Sequence, residues 1–320
     1  MADPLPTVAI VIPVFNEEPV LPELLRRLDA VMTGTPGATW RAVFVNDGSR
    51  DRSVTLLKAA AAGDARLTVV ELSRNFGHQP ALAAGIAEAG DADAVVTMDA
   101  DLQDPPELIP ELLARWQGGA DVVLAVRRSR QEHGVRRLGF DLFHRMFQRL
   151  SDLPVPRNTG TFGLLGRAAL GAYNRLPERH RFFPGLRAWV GFETAEVLYD
   201  RQDRAAGKPT QTFAGLMRYA LDAIFSFSRL PLRLLTYAGI FISSCGFALG
   251  LFFVCKRLLG IETASTGFTT LVTLTLFLGG IQLIGIGILG EYLGRIYDEV
   301  KQRPLYVVKP RSPARSRHEP

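Results

Sequence analysis

Two long stretches without a charged residue lie near the C-terminus of this 320-residue chain. They comprise residues 234–255 and 268–290, and each is longer than the roughly 20 residues that a helix needs to cross a bilayer. Buried helices of soluble proteins seldom extend so far without a charge. We therefore predict a hairpin of two membrane-spanning helices, which leaves the preceding residues to fold as a separate domain.

Basic residues on either side of these stretches predict the orientation of the hairpin. Arg229 and Arg233 precede the first stretch and seven lysines and arginines follow the second, whereas the connection contains only Lys256 and Arg257. By the positive-inside rule, both termini and the large N-terminal part are expected in the cytoplasm. The N-terminus has no basic segment followed by an apolar core, so no signal peptide is predicted.

The basic excess of the chain does not favour a nucleic-acid partner. The net charge is +5 and the isoelectric point is about 9.4, but the excess lies beside the apolar stretches, where it would meet anionic lipid head groups. Both cysteines, Cys245 and Cys255, lie in the first apolar stretch, so no disulfide framework is predicted. We expect the partner to be a membrane and not a nucleic acid.

Apolar runs rich in valine and isoleucine alternate with helical patterns in the N-terminal part. This alternation is typical of an α/β domain, in which helices cover a Rossmann-like, mostly parallel sheet. The predicted strands comprise residues 8–14, 42–45, 67–72, 94–98 and 121–126. The length of the chain allows one sizeable domain of this kind, for which we predict the bounds 1–210.

Two aspartates directly follow the fourth predicted strand. Asp99 and Asp101 stand at its carboxyl end and Gln103 follows two residues later; open α/β sheets bind ligands at this edge. Their hard oxygen atoms suit Mg²⁺ or Mn²⁺, which can hold a diphosphate, so we predict a metal site there. The alternative is a solvated loop. Residues 104–107 predict a helix directly behind it, with Asp104 as N-cap.

Polar clusters also follow the first and second predicted strands. Residues 13–18 read Pro-Val-Phe-Asn-Glu-Glu, and residues 46–51 read Asn-Asp-Gly-Ser-Arg-Asp. Either cluster by itself could be an ordinary turn, but the ends of parallel strands meet at one edge of a sheet. We therefore expect one shared crevice, in which Asp47 accepts hydrogen bonds from a nucleobase or ribose.

Further features concern the region beside the membrane. Apolar residues recur with the period of a helix between 213 and 224, so we predict an amphipathic segment at 211–233 along the membrane surface. The connection 256–267 is expected outside the cytoplasm, and the basic tail 291–320 inside, with a disordered end. Gly246 and Gly250 form a small-xxx-small pair, which leads to the hypothesis of a homo-oligomer.

Four motifs in this chain are similar to those of family 2 glycosyltransferases. They comprise residues 12–18, 46–51, 74–77 and 99–107. More narrowly, the chain resembles the polyprenyl-phosphate glycosyltransferases, which include dolichyl-phosphate mannose synthase and bactoprenol glucosyltransferases. Residues 290–306 resemble the end of the two-span members, so the resemblance covers nearly the whole chain except the last dozen residues.

The resemblance implies a GT-A fold and transfer of a hexose, with inversion, from a nucleotide sugar to the phosphate of a membrane polyprenol. The donor would be of the UDP-glucose or GDP-mannose type. We expect the protein in the bacterial inner membrane, with undecaprenyl phosphate as the acceptor. It implies a nucleotide-sugar pocket of Pro13, Phe15, Glu17, Asp47, Asp99 and Asp101. It also implies that Asp99, Asp101 and Gln103 face Mg²⁺ or Mn²⁺.

The acceptor in such a reaction needs little activation, because a phosphate monoester is largely dianionic at neutral pH. The enzyme must instead offset repulsion between this anion and the donor diphosphate, which a metal ion and arginines can do. We expect Asp101, Arg127 and Arg128 to be the catalytic residues. The candidate contacts of the acceptor phosphate are Arg127, Arg128, Arg136, Arg137 and Lys208.

Two positions depart from the pattern of many relatives. Thr161 stands where they carry an aspartate, and Gly163 stands where they carry an arginine. These changes leave open an altered activity, or a membrane-anchored protein that binds nucleotide sugars without catalysis. Intact Asp99 and Asp101 argue against the latter.

A processive polysaccharide synthase is a third alternative. Such synthases carry a Gln-x-x-Arg-Trp segment, which only residues 187–189, Arg-Ala-Trp, approach here, and two spans cannot easily enclose a polymer channel. None of the five histidines has the spacing of metal ligands. We expect surface or packing roles for His78, His133, His144 and His180.

Overall fold

The computed structural model describes residues 4–128, 158–179, 181–200, 230–259 and 267–310. The chain divides into two compact units. The first unit contains the N-terminal α/β domain together with the residues that follow Arg303, and the second contains two long helices. The predicted bounds of the α/β domain had not included any residue from the C-terminal end.

The first unit is built on a seven-stranded sheet. Its strands are β1 (Thr7–Val14), β2 (Thr39–Asn46), β3 (Leu67–Glu71), β4 (Ala94–Thr97), β5 (Val122–Arg127), β6 (Thr159–Gly166) and β7 (Thr194–Tyr199). Their order across the sheet is β3-β2-β1-β4-β6-β5-β7. Among the strands of the described residues, β6 runs antiparallel to its neighbours, β4 and β5, and the other pairs are parallel. The prediction of a mostly parallel sheet is confirmed.

The five predicted strands are all present, with small differences at their ends. Strands β6 and β7 were not predicted. Three glycines interrupt the apolar pattern of β6, and β7 exposes alternate residues at the border of the sheet. Both strands therefore lack the continuous valine-rich run by which the parallel strands are recognised.

Helices cover the sheet on both faces. They are α1 (Leu21–Gly34), α2 (Ser53–Gly63), α3 (His78–Glu88), α4 (Ile109–Gln117), α5 (Arg167–Asn174) and α6 (Phe183–Trp189). The central strand β1 is buried on both sides, and Val8 through Ile12 have no exposed surface, as expected for a parallel strand between two helical layers. Helix α3 packs so closely on β1 and β2 that a side chain at Gly85 would overlap Val11 and Val45.

The helix behind the aspartate pair begins differently from the prediction. A 3₁₀ turn (Pro106–Leu108) precedes α4, its N-cap is Pro105, and no side chain caps it. The assignment of Asp104 as N-cap was therefore wrong. Asp104 is fully buried and accepts a hydrogen bond from the hydroxyl of Tyr199, so a partner 95 residues away competes successfully for its carboxylate.

The residues after Arg303 lie against the free edge of the sheet. The Ser73 amide donates to the Val307 carbonyl at 2.8 Å, and the Lys309 amide donates to the Glu71 carbonyl at 2.7 Å. Leu72 and Val308 form an antiparallel bridge between these bonds. We call residues 304–309 the strap. It covers the outer side of β3, where unpaired backbone groups would otherwise be open to another chain.

The second unit contains α7 (Leu230–Leu258) and α8 (Phe268–Val300). Both include windows, Leu232–Leu249 and Phe277–Val300, that are long and apolar enough to cross a membrane, with 0% and 6% of their residues buried. The two helices touch where Gly285 faces the side chain of Leu235. Their positions agree with the predicted stretches. The amphipathic segment predicted at 213–224 lies outside the described residues, and the homo-oligomer stays a prediction.

Candidate functional site

Three loops meet at the carboxyl ends of β1, β2 and β4, which are neighbours in the sheet. The Glu17 amide donates to the Ser53 hydroxyl at 3.0 Å, and the Glu18 amide donates to the Asp51 carboxylate at 3.1 Å. Glu18 in turn forms an ion pair with Arg52. The predicted clusters 13–18 and 46–51 are thus joined directly, because their strands lie side by side.

The loop after β1 presents an aromatic side chain at this edge. Phe15 is 42% exposed, whereas Pro13 is buried within the strand. Asn16 has a positive φ of 56°, a conformation that Asn tolerates better than most residues. Its side chain accepts a hydrogen bond from the Arg50 amide at 2.8 Å. Phe15 is therefore accessible at this edge of the sheet, beside a turn that Arg50 helps to hold.

Asp47 holds the loop that follows β3. Its two carboxylate oxygens accept hydrogen bonds from the amides of Phe76 at 2.7 Å and Gly77 at 2.9 Å, and the residue is only 3% exposed. Burial raises the pKa of Asp47, although the two amide donors counteract this effect. Each oxygen has a second lone pair with which it can still accept a bond from a ligand. Sequence reasoning had assigned Asp47 to the ligand and had missed this bracing role.

Gly48 lies directly beneath the same loop. A Cβ atom there would stand 2.7 Å from the Arg74 carbonyl carbon and from the Asn75 nitrogen, and its φ is +70°. Both facts require glycine, since the neighbouring atoms are backbone and cannot move aside. Residues 74–77 therefore pack onto the turn after β2 without an intervening side chain.

The first aspartate after β4 has two partners. The Asp99 Oδ1 atom lies 2.8 Å from His78 Nε2 and accepts a hydrogen bond from the Thr161 hydroxyl at 3.1 Å. Burial by itself would raise the pKa of Asp99, but these two contacts hold it below its usual range. His78, for which we expected a surface or packing role, has a side chain that is 43% exposed and that contacts this candidate ligand. His78 is the first residue of α3, and its place directly after the motif 74–77 was the one signal that could have revealed the contact.

The backbone between Asp101 and Gln103 is strained at Leu102. Leu102 has a φ of 58° and is 2% exposed, which is unusual for an apolar residue and costs roughly 1–3 kcal/mol. Its side chain belongs to the core of the domain. The Gln103 amide donates to Asp101 Oδ1 at 3.2 Å. Burial of Leu102 thus maintains the backbone turn that sets Asp101 and Gln103 at the edge of the sheet.

This loop fits a divalent ion that a substrate helps to bind. Within the described ranges, no group of three or more His, Cys, Asp or Glu side chains is arranged to hold a metal. Mg²⁺ is commonly bound by one or two carboxylates together with substrate phosphates. Asp99 and Asp101 supply two carboxylates, and Gln103 offers an amide oxygen.

Arg127 at the end of β5 is held by a buried network. Its Nε atom donates to the Tyr199 hydroxyl at 3.0 Å, and Nη2 lies 3.6 Å from Asp104 Oδ1. Tyr199 in turn donates to Asp104. Arg128, by contrast, has a side chain that is 61% exposed, 3.9 Å from Asp200. The two predicted phosphate contacts therefore differ in their surroundings. The side chain of Arg127 is held by Tyr199 and Asp104, whereas that of Arg128 is exposed to solvent. Arg136, Arg137 and Lys208 lie outside the described residues.

Comparisons with known proteins agree with these features. The family model for glycosyl transferase family 2 matches residues 9–173. A glycosyltransferase of Synechocystis sp. is 45% identical over 302 residues, which are 94% of either chain. The SfII prophage-derived bactoprenol glucosyl transferase of Shigella flexneri is 41% identical over 303 residues, or 94% of this chain and 97% of that protein. The prophage bactoprenol glucosyl transferase homolog of Escherichia coli is 39% identical over 306 residues, or 94% and 98%.

A solved structure is similar to part of this chain. Glucosyl-3-phosphoglycerate synthase from Mycobacterium tuberculosis, crystallised with Mn²⁺, UDP and glucosyl-3-phosphoglycerate, matches 69% of this chain and 79% of its own, with a TM-score of 0.46 and 19% identity. The mixed α/β fold is of the GT-A type, as the sequence resemblance implied. The family model covers more than half of the chain and the relatives cover nearly all of it, so the protein is a glycosyltransferase and belongs to glycosyl transferase family 2.

Proposed function

We propose that this protein transfers a hexose, with inversion, from a nucleotide sugar to the phosphate of a membrane polyprenol. The observation that carries the proposal is the loop after β4, where Asp99 and Asp101 stand at the ligand edge of the sheet in a chain that continues into two long apolar helices. Relatives named bactoprenol glucosyl transferases extend over 94% of the chain, helices included, which supports a lipid-linked acceptor.

The donor would bind across the ends of β1, β2 and β4. Phe15 offers a surface for the base, and Glu17 and Asp47 are the acceptors for base or ribose groups. Asp99, Asp101 and Gln103 would hold Mg²⁺ or Mn²⁺. The ion, when bound, neutralises charge on the diphosphate as it leaves.

The acceptor phosphate would approach from the side of β5. Arg127 is held by Tyr199 and Asp104 with its guanidinium already oriented, so it loses little conformational freedom on binding an anion. Arg128 is exposed beside it, and we assign Arg136, Arg137 and Lys208 to the same phosphate. The hydroxyl of Thr161 cannot act as a base near neutral pH, but a dianionic phosphate needs no base.

We place the protein in the bacterial inner membrane as a two-pass protein. Helices α7 and α8 would form the hairpin, with the α/β domain and both termini in the cytoplasm, as the distribution of basic residues predicts. The strap supports a cytoplasmic C-terminal end, because residues 304–309 hydrogen-bond to the sheet of the α/β domain.

Transfer from a panel of labelled nucleotide sugars tests the proposal. Purified protein in detergent is given undecaprenyl phosphate with Mn²⁺, with Mg²⁺ or with a chelator, and label is measured in the organic extract. We expect metal-dependent label from one donor, of the UDP-glucose or GDP-mannose type. No label from any donor with folded protein would contradict the proposal and favour a binding protein without catalysis.

A further inference from the structure

A buried arginine lies on α6, in the Arg-Ala-Trp segment 187–189. Arg187 is 4% exposed, and its Nη2 atom donates to the Gly160 carbonyl at 3.1 Å. Its Nη1 atom is buried without a hydrogen-bond partner among the described residues. Burial lowers the pKa of Arg187 to about 9. A buried guanidinium with one unmatched donor lowers the stability of the fold, and a contact with the Phe183 ring, 5.2 Å from Cζ to the ring centre, offsets part of this cost.

Two glycines of β6 provide the space for guanidinium groups. A Cβ atom at Gly163 would stand 2.9 Å from Arg187 Nη1, and one at Gly160 would stand 3.0 Å from Arg127 Nη2. Arginines from α6 and from β5 therefore lie beside two glycines of β6.

The first residues of β6 connect Arg187 to the predicted metal site. Gly160 accepts the bond from Arg187, and the next residue, Thr161, donates its hydroxyl to Asp99. The Thr161 carbonyl accepts a hydrogen bond from the Thr97 hydroxyl at the end of β4. A shift of Gly160 would thus move the hydroxyl that orients Asp99.

We propose that Arg187 is a positioning residue for the metal–diphosphate site: its guanidinium lies in the space left by Gly163, fixes the backbone at Gly160, and so keeps Thr161 against Asp99. The inference rests on the proposed function, since it takes Asp99 as a ligand of the ion. Groups that orient metal ligands from the next layer typically alter metal affinity by about 10–100-fold.

The test compares Arg187→Met with wild type and with Arg167→Met, all as full-length protein in detergent. Arg167 serves as the control because it also donates to a backbone carbonyl, that of Asp91, but begins α5 at the opposite end of β6. Its side chain, unlike that of Arg187, is 67% exposed and pairs with Asp93. Calorimetry measures Mn²⁺ binding, alone and with UDP or GDP, and transfer assays measure the Mn²⁺ concentration for half-maximal rate.

For Arg187→Met we expect about 10-fold weaker Mn²⁺ binding and an equal rise in the half-saturating concentration. At saturating Mn²⁺, kcat should return toward the wild-type value, and the melting temperature should not fall below that of Arg167→Met, because an unmatched buried charge has been removed. If Arg187→Met does not fold, Arg187→Leu, which is also neutral and also cannot donate to the Gly160 carbonyl, carries the same expectation.

The outcomes separate the two proposals. Wild-type transfer together with unchanged Mn²⁺ binding in the Arg187 variants would overturn the positioning role alone. Wild type that binds neither Mn²⁺ nor nucleotide would overturn both. Weaker Mn²⁺ binding in wild-type-like folded variants, with the control unaffected, would support the positioning role even if the donor sugar had yet to be identified.

Discussion

At the scale of single residues, the ligand edge of the sheet depends on contacts with little room for substitution. Gly48 is one example, since its neighbours are the backbone atoms of Arg74 and Asn75 at 2.7 Å. Leu102 is another, because an apolar side chain with a positive φ is buried between two candidate ligand residues. Such positions combine backbone strain with close packing, a combination found at functional sites.

Gly48→Ala should weaken binding of the donor. An added methyl group at φ +70° must displace the backbone of residues 74–75, which lie beside the amides that Asp47 holds. We expect a higher KM for the nucleotide sugar and a loss of about 1–3 kcal/mol in the free energy of unfolding. Steady-state kinetics and chemical unfolding measure these quantities. Gly63→Ala, at a position with open space, should leave both unchanged.

Asp101→Ala should abolish transfer while membrane insertion remains intact. The substitution removes one of two carboxylates proposed to hold the ion, and it leaves both apolar helices untouched. Transfer of label is measured in membranes that contain equal amounts of each variant. Glu111→Ala, an exposed substitution on α4, is the control. Normal turnover in Asp101→Ala would refute the metal assignment.

Tyr199→Phe should loosen Arg127. The hydroxyl lies between the Arg127 guanidinium and the buried Asp104 carboxylate, and its loss deprives Asp104 of a donor, at a cost of about 1–3 kcal/mol in unfolding free energy. We expect a lower kcat together with this loss of stability. A stable variant with wild-type kcat would show that Arg127 needs no bracing. Tyr237→Phe on the exposed surface of α7 is the matched control.

At the scale of secondary-structure elements, the strap links residues 304–309 to the proposed donor site. It pairs with residues 71–73, directly before the loop 74–77 that Asp47 holds. Helix α3 holds the loop after β4, since its first residue, His78, contacts Asp99. Gly85 allows this helix to pack closely on the sheet. The strap thus holds the strand that precedes the loop 74–77, and α3 holds a residue of the loop after β4.

Lys309→Pro should open the edge of β3. Proline has no amide to donate to the Glu71 carbonyl, whereas Lys309→Ala keeps this bond and removes only the side chain. We expect faster hydrogen exchange of the Ser73 amide, which donates to Val307, in the proline variant alone. Exchange is measured by mass spectrometry on peptides that cover residues 71–77. Equal exchange in the two variants would show that the strap does not depend on this bond.

At the scale of the whole molecule, the orientation of the proposed hairpin can be tested independently of activity. Lys256 and Arg257 are the only basic residues in the connection between the apolar stretches. In a variant without Cys245 and Cys255, we expect Ser265→Cys to react with a membrane-impermeant maleimide in cells with a permeable outer envelope. Ser316→Cys in the basic tail should react only after the inner membrane is opened. The reverse pattern would overturn the orientation.

Much of the molecule was predictable from local sequence signals. The five parallel strands, the two long apolar helices and the aspartates after β4 all have signatures within a few neighbouring residues, and each was found where expected. Strands β6 and β7 were missed because glycines and partial exposure weaken their patterns. The N-cap role of Asp104 was a local inference that a distant hydroxyl overruled.

The sequence by itself determined the class of fold, the edge of the sheet that carries the candidate site, and the family, because hydrophobic periodicity and motif order are properties of adjacent residues. Only the tertiary structure decided that His78 contacts Asp99, that Tyr199 joins Arg127 to Asp104, and that Arg187 lies beside Gly163. These contacts join different elements, up to 95 residues apart for Tyr199 and Asp104. Strand order and helix packing, which no local pattern encodes, bring them together.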